Sequence, residues 1–249
     1  MSEPLRVLFG LHAVTARLRA DPASVRELHV DAARQDGRMK DLLRLAGERG
    51  VRVIASDDRR LDALAGAQSR HQGAVARVLP RSALAFDDLL ETLPPLPLLL
   101  LLDGIQDPRN LGALLRVADA MGVDAVIAPR DRAVGIGATV EKVASGAAES
   151  VRYVVVTNLA RTIEALQQKG VWCVAADGEG EEDLFSARLQ GPLAWVLGAE
   201  GAGLRRLTRE RCDARVRIPM LGTVESVNVS VAAGICLFEA RRQRACAAP

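Results

Sequence analysis

From Leu98 onward the chain repeats one pattern: a short unbroken apolar run, a loop, then a segment of helical periodicity. The runs are Leu98–Leu102, Ala125–Ala128, Val151–Val156, Val171–Ala175, Leu193–Leu197 and Arg215–Ile218. Strands with one wet face alternate apolar and polar residues, whereas continuous runs belong to strands covered on both faces. Helices are expected between them at Leu111–Met121, Ala160–Lys169, Leu204–Glu210 and Val229–Arg241. The pattern predicts an α/β domain over residues 98–249 with a parallel sheet between helical layers. Residues 1–79 read as a smaller α/β unit, with an apolar run at Val25–Val30, a helix at Met39–Arg49 and a second run at Val51–Ala55. Asp36-Gly37 is a turn signal, and Gly50 is placed to end the helix in a left-handed cap. Between the two parts, residues 80–97 carry four prolines around a short Asp87–Leu93 stretch that could form a helical turn. Proline stiffens itself and its predecessor, so this segment is expected to be a linker.

Composition narrows the classes. With 249 residues, 49% of them hydrophobic, the chain can bury one large core or two modest ones. Its longest apolar run, Leu96 to Leu102, is interrupted by Pro97, far short of the roughly 20 residues that cross a bilayer. No basic segment followed by an apolar stretch opens the sequence, so a cytoplasmic protein is expected. Cys173, Cys212, Cys236 and Cys246 form no Cys-x-x-Cys pair, and only His12, His29 and His71 are available beside them. Reduced thiols and no metal are expected. Net charge is +2, but residues 1–77 carry 14 basic and 10 acidic side chains while the remainder carries 19 and 21. Of the 33 basic residues 30 are Arg, which suits bidentate phosphate recognition and equally suits a GC-rich coding sequence.

Three segments carry the chemistry. In Asp107-Pro-Arg-Asn-Leu-Gly-Ala-Leu-Leu-Arg116, proline sets a turn and Asn110 is expected to cap the helix that follows. Arg116 has Gly112, Ala113 and Ala120 three and four positions away, which would leave room beside its guanidinium for a ligand. In Leu197-Gly-Ala-Glu-Gly-Ala-Gly-Leu204, a strand runs into glycines spaced Gly-x-x-Gly-x-Gly. A dinucleotide-binding unit wants the reverse order after its first strand, so a nicotinamide dehydrogenase is disfavoured. In Ile218-Pro-Met-Leu-Gly-Thr-Val-Glu-Ser-Val-Asn-Val-Ser230, Ser226 and Asn228 sit at a helix start, where they cap it or face a ligand. The Ala232-Ala233-Gly234 run that follows allows another element to pack close.

Taken singly, each segment is an ordinary cap or turn. Together, with the intervening Glu141-Lys-Val-Ala-Ser-Gly-Ala-Ala148, they resemble across about 150 residues the motifs of the SpoU/TrmH branch of the SPOUT RNA methyltransferases. Val227 stands where relatives usually carry Leu, a conservative difference. The resemblance implies a C-terminal parallel-sheet domain with a deep trefoil knot, an S-adenosylmethionine cofactor and transfer of its methyl group to a ribose 2′-hydroxyl of RNA. It implies cofactor contacts at Leu197, Gly198, Gly201, Ile218, Met220 and Val227. Asn110, Arg116, Glu200, Ser226 and Asn228 match the family's catalytic positions, and Arg109, Lys142 and Ser145 its RNA-facing ones. It also implies a homodimer with sites at the subunit interface. An arginine is a poor free base. Arg116 is therefore expected to grip a phosphate and favour the developing alkoxide, with Glu200 or the phosphate receiving the proton.

In the N-terminal part, Leu8-Phe-Gly-Leu-His-Ala-Val14 and Ser69-Arg-His-Gln-Gly-Ala-Val75 resemble the opening and closing of the substrate-binding domain of some family members. That two-part layout is most similar to members that methylate a guanosine in 23S ribosomal RNA; tRNA-directed relatives typically lack the domain. His12, His71 and Gln72 become candidates for RNA contact, with structural roles for the two histidines equally open. One Tyr and four Phe make a stacking platform improbable, which leaves shape and backbone recognition of folded RNA. The rivals are a 2′-O-methyltransferase acting on tRNA or on another ribosomal RNA nucleotide, and a silent RNA-binding homologue, against which the intact Asn110, Arg116, Glu200 and Asn228 set argues.

Overall fold

The computed structural model describes residues 5–66, 69–81 and 83–247. The chain forms two compact units, one of Met1–Ser82 with Ser145–Ser150, the other of Ala83–Ala144 with Val151–Pro249.

Unit 1 holds β1 (Arg6–Phe9), α1 (Leu11–Ala20), β2 (Val25–Asp31), α2 (Gly37–Glu48), β3 (Val53–Ser56), α3 (Asp58–Ala65) and β4 (Ala74–Val78). The sheet order is β1-β4-β2-β3, with only the β2–β3 pair parallel. Leu8, Leu11, Val14, Leu18, Leu28, Met39, Leu42 and Ala76 form its core. Asp36, read from sequence as a turn residue, caps α2, its carboxylate accepting from the Arg38 and Met39 amides. An aspartate directly before an apolar-periodic segment serves a helix start better than a turn. Gly50, at φ 66°, ends α2 as expected: its amide donates to Gly47 and that of Val51 to Ala46, a Schellman closure.

Six residues from far along the chain complete this unit because of one carboxylate. In the short helix Ala147–Ser150, Glu149 is buried and pairs with Arg6 and, at 3.1 Å, with Arg17, which is itself fully buried. Burial lowers the Arg17 pKa, and Glu149 is the nearest charge opposing that shift. Gly146, at φ 96°, lets this segment approach α1; a Cβ there would lie 2.9 Å from the His12 carbonyl oxygen.

In unit 2, helix α4 (Phe86–Glu91) occupies part of the stretch expected to be a linker, with Leu89 buried in the core. Then come β5 (Leu98–Asp103), α5 (Pro108–Ala120), β6 (Ala125–Pro129), α6 (Ala138–Ala144), and, after the α7 turn (Ala147–Ser150) already placed in unit 1, β7 (Tyr153–Val156) and α8 (Leu159–Gln168). The chain continues through β8 (Trp172–Ala176), β9 (Glu182–Asp183), β10 (Leu193–Gly198), α9 (Arg206–Arg211), β11 (Ala214–Arg217) and α10 (Val229–Ala247). Seven strands run in the order β7-β6-β5-β10-β8-β11-β9, every pair parallel. The five leucines of β5 are wholly buried, each stabilising the fold by about 1.5–3 kcal/mol. The central strand β10 pairs with β5 on one side and β8 on the other.

Gly112 does not leave a ligand space beside Arg116. A Cβ there would lie 2.6 Å from Val143 of α6, so the missing side chain serves helix packing. The Ala232-Ala233-Gly234 run likewise brings α10 against α5, where Gly234 faces Val117.

Two predictions follow from this packing. Glu149→Ala leaves the Arg17 guanidinium buried without its carboxylate, so unfolding of the full chain in urea should show a loss of about 3–5 kcal/mol; a loss below about 1 kcal/mol would contradict the anchoring role. Burial pushes the Cys212 and Cys236 thiols up to about 12 and that of Cys173 higher still, while Cys246 is exposed. A disulfide reagent at pH 8 should therefore label Cys246 rapidly and the other three only on unfolding; fast labelling of Cys236 would refute the packing of α10.

Candidate active site

Ligands of open parallel sheets gather at the carboxyl ends of the strands, and two cavities of unit 2 lie there. The first, about 240 Å³, is formed by the residues after β8, β10 and β11. Leu197, Gly198, Gly201, Ile218, Met220 and Val227 all line it, as do Glu200 and Ser226. The second, about 450 Å³, opens at the ends of β5 and β10 beside the turn after β6. The two share Ala199, Glu200 and Gly203.

The shared wall is a tight reversal. The Ala199 amide donates to the Gly203 carbonyl at 3.1 Å and the Gly203 amide to the Ala199 carbonyl at 2.8 Å. Gly201 and Gly203 take φ of 76° and 65°, which side chains rarely adopt. Gly198 has a different reason: a Cβ there would lie 2.1 Å from the Gly203 carbonyl carbon. Two glycines supply conformation and one supplies space, which accounts for the Gly-x-x-Gly-x-Gly spacing. Glu200 is carried at the tip of this turn.

Asn110, expected to cap α5, does not. Asp107 is the cap, its carboxylate accepting from the Arg109 amide, and Pro108 fills the first turn where no amide is needed. Asn110 sits three residues in, free to make a longer connection. Asn228 caps α10: its Oδ1 accepts from the Ser230 amide at 2.9 Å and the Ser230 hydroxyl at 2.7 Å. A backbone N–H can only donate, so the Asn228 amide orientation is fixed and its Nδ2 must point away. That Nδ2 donates to Asn110 Oδ1 at 3.0 Å, and Asn110 Nδ2 in turn donates to Glu200 Oε2 at 3.2 Å. Three residues spread over 118 positions are thereby oriented by one helix cap, and the Glu200 carboxylate is held as an acceptor where the cavities meet.

Arg116 is not part of this cluster. It is exposed on α5, lines neither cavity, and has no hydrogen-bond or ion-pair partner among the described residues. Arg109, Lys142 and Ser145 are also exposed. In unit 1, Gly10 joins the start of α1 to the loop before β4, and its amide donates to Ala74. His12 and Gln72 are exposed there, the latter at φ 50°. His71 is buried. Its Nδ1 accepts from the Gly73 amide at 3.1 Å, which puts its hydrogen on Nε2, facing Asp62 at 3.3 Å and Asp58 at 3.5 Å. With Nδ1 occupied by the Gly73 amide, the His71 ring ties the loop that presents Gln72 to the two carboxylates of α3.

Sequence reading missed Asp177, Asp103, Arg132 and Arg205. Asp177 follows β8 and lines the first cavity; its Oδ1 accepts from the Glu179 amide, while its buried Oδ2 has no hydrogen-bond partner. The Asp177-Gly178 turn after an apolar run was the available signal. The apolar wall of Leu197, Ile218, Met220 and Val227 suits a purine, and Asp177 Oδ2, which accepts no hydrogen bond and meets only Arg209 Nη1 at 3.8 Å, suits a hydroxyl or ammonium donor on the same ligand. The lining fits S-adenosylmethionine.

Residues 97–238 match the SpoU rRNA Methylase family, and residues 7–83 match a domain described as RNA 2'-O ribose methyltransferase substrate binding. The chain is 59% identical over 240 residues to the 23S rRNA (guanosine-2'-O-)-methyltransferase RlmB of Ralstonia nicotianae, covering 96% of each. It is 56% identical over 241 residues to the protein of that name from a Burkholderia species, covering 96% of this chain and 97% of the other. Among solved structures, the SpoU methyltransferase AviRb from Streptomyces viridochromogenes in complex with AdoMet is 27% identical with a TM-score of 0.74, covering 97% of this chain and 91% of that one. With this match across the sheet, both cavities and the amide cluster, the chain belongs to the SpoU rRNA methylase family.

Proposed function

We propose that this protein transfers the methyl group of S-adenosylmethionine to the ribose 2′-hydroxyl of a guanosine in 23S ribosomal RNA. The observation that carries the reading is the Asn228–Asn110–Glu200 chain at the junction of the two cavities. When bound, the cofactor supplies an already activated methyl, so the protein has only to align an oxygen with it and assist loss of a proton. Asn110 and Asn228 hold Glu200 with its second oxygen open to a hydroxyl donor, which makes Glu200 the proton acceptor. Leu197, Gly198, Gly201, Ile218, Met220 and Val227 would hold the cofactor, the apolar side chains against its adenine, in the cavity that Ser226 also lines. The likeness to relatives named for 23S rRNA supports the substrate, and the unit built from residues 7–83 supports an RNA-docking role for His12 and Gln72, with Arg109, Lys142 and Ser145 as further contacts. A cytoplasmic site of action and the trefoil knot accompany this reading.

The working form is a homodimer in which Arg116 serves its partner's site. Two features support this: the guanidinium has no partner of its own, and α10 exposes an apolar stripe. Val231, Ile235 and Phe238, at 49%, 37% and 60% exposure, fall on one helical face of the element packed on α5. There Arg116 holds an RNA phosphate and stabilises the developing alkoxide.

Purified protein should transfer labelled methyl from S-adenosylmethionine to one guanosine of a 23S fragment and leave tRNA unlabelled. Label on tRNA, or on a base atom, would overturn the reading. For the trans arrangement, Arg116→Lys and Asn228→Ala proteins should each be nearly inactive. Mixed and re-associated, they should recover about a quarter of wild-type activity, since half the dimers then hold one intact site of two; no recovery would place Arg116 in its own subunit's site.

A further inference from the structure

The second cavity is larger than the first, shares its Glu200 wall, and is not occupied by any role assigned above. Its floor is Asp103, the charged residue that ends the all-leucine strand β5. The Asp103 side chain is completely buried, and both of its oxygens are taken by one residue: Oδ2 accepts from the Arg205 backbone amide at 3.0 Å and Oδ1 from Arg205 Nε at 2.5 Å. The backbone contact fixes the start of the side chain, and the Nε contact holds the guanidinium by its inner edge. Its two outer nitrogens, on a side chain 44% exposed, have no protein partner among the described residues, and Arg205 lines the cavity. Asp107 lines the same cavity; it spends one oxygen on the Arg109 amide, and the other accepts no hydrogen bond among the described residues. Arg132 lines the same cavity from a left-handed backbone conformation, φ 58°, that a non-glycine residue adopts at a cost and that clusters at functional sites.

We propose that this cavity receives the base of the target guanosine, with Arg205 as the residue that reads it. The inference rests on the reaction assigned above. A ribose hydroxyl placed at Glu200 leaves its base within one glycosidic bond of the sugar, and the space adjoining Glu200 and Asn110 is this cavity. A nucleotide reaching it must leave its stack, as bases do at enclosed nucleic-acid active sites. The outer fork of a guanidinium matches the O6 and N7 acceptors of guanine, the commonest specific arginine–base pairing. The free oxygen of Asp107 matches the N1–H and N2–H donors on the other edge. Adenine would set its N6 donor against the arginine and its N1 acceptor against the carboxylate, leaving both pairs unmade. Asp103 is a positioning residue: it touches no base and aims the guanidinium.

The test uses 23S fragments differing at the target nucleotide alone: guanosine, 7-deazaguanosine, which lacks N7, and 6-thioguanosine, which keeps N1–H and N2–H but puts a weak sulfur acceptor in place of O6. Wild-type enzyme should lose roughly 10- to 100-fold in kcat/KM on each analogue. Arg205→Lys, which keeps the backbone amide on Asp103 and the positive charge, should be slow on guanosine and lose less than about 3-fold more on the analogues. Its affinity for S-adenosylmethionine should stay at the wild-type value. If wild type methylates both analogues as fast as guanosine, the proposal falls without any variant, even one that fails to fold. Equal analogue penalties in wild type and Arg205→Lys would also overturn it, since an arginine holding a phosphate costs rate uniformly. Absence of transfer to the unmodified guanosine fragment is a different failure, that of the reaction itself, and removes the base pocket with it.

Discussion

The approach of Gly198 to the backbone of Gly203 organises everything at this end of the sheet. Strand β10 is the central strand, hydrogen-bonded on both sides, and its last residue must let the returning chain lie where a Cβ would stand, 2.1 Å from a carbonyl carbon. The two reciprocal hydrogen bonds between Ala199 and Gly203 exist only because of that approach, and the positive φ of Gly201 and Gly203 completes the reversal. One compact turn thereby becomes the partition between two cavities, with a carboxylate at its tip. A methyl group on Gly198 would push the partition outward and change both volumes at once.

The second constraint is directional. Side-chain amides can face either way, and a catalytic cluster built on them needs something that cannot. Here the Ser230 backbone N–H supplies it, and the orientation passes from Asn228 to Asn110 to Glu200 through hydrogen bonds of 2.9–3.2 Å. The helix cap is also the anchor of the Asn228–Asn110–Glu200 chain, so the start of α10 stabilises the fold and orients the Glu200 carboxylate together. Arg205 shows the same logic on the other side of the partition: a buried carboxylate fixes the inner edge of a guanidinium so that the outer edge is preorganised for a ligand.

The inner strands were legible because they are buried on both faces: Leu98, Ala125, Leu193 and the residues after them needed no partner pattern to be read as strands. The six positions that the family resemblance implied as cofactor contacts line one cavity. Misreadings arose where two physical uses of a residue type compete. Asn110 has the chemistry of a cap, but Asp107 before a proline takes that place and releases Asn110 for Glu200. Gly112 looked like room for a ligand and is room for Val143. The transfer of Ser145–Ser150 to the N-terminal unit depends on a carboxylate meeting Arg6 and Arg17 more than 130 residues away, which no local pattern announces. Asp103 was nearer to hand, since a lone aspartate ending five buried leucines has to be satisfied by something.

The account stands most directly on where a sulfonium methyl sits relative to the turn that Gly198 permits. A crystal structure of the protein with S-adenosylmethionine measures this. The account predicts adenine against Ile218 and Met220, and the methyl carbon directed toward the junction of the cavities, beside Glu200 and Asn110. A cofactor bound elsewhere, or one whose methyl points away from that junction, would contradict it.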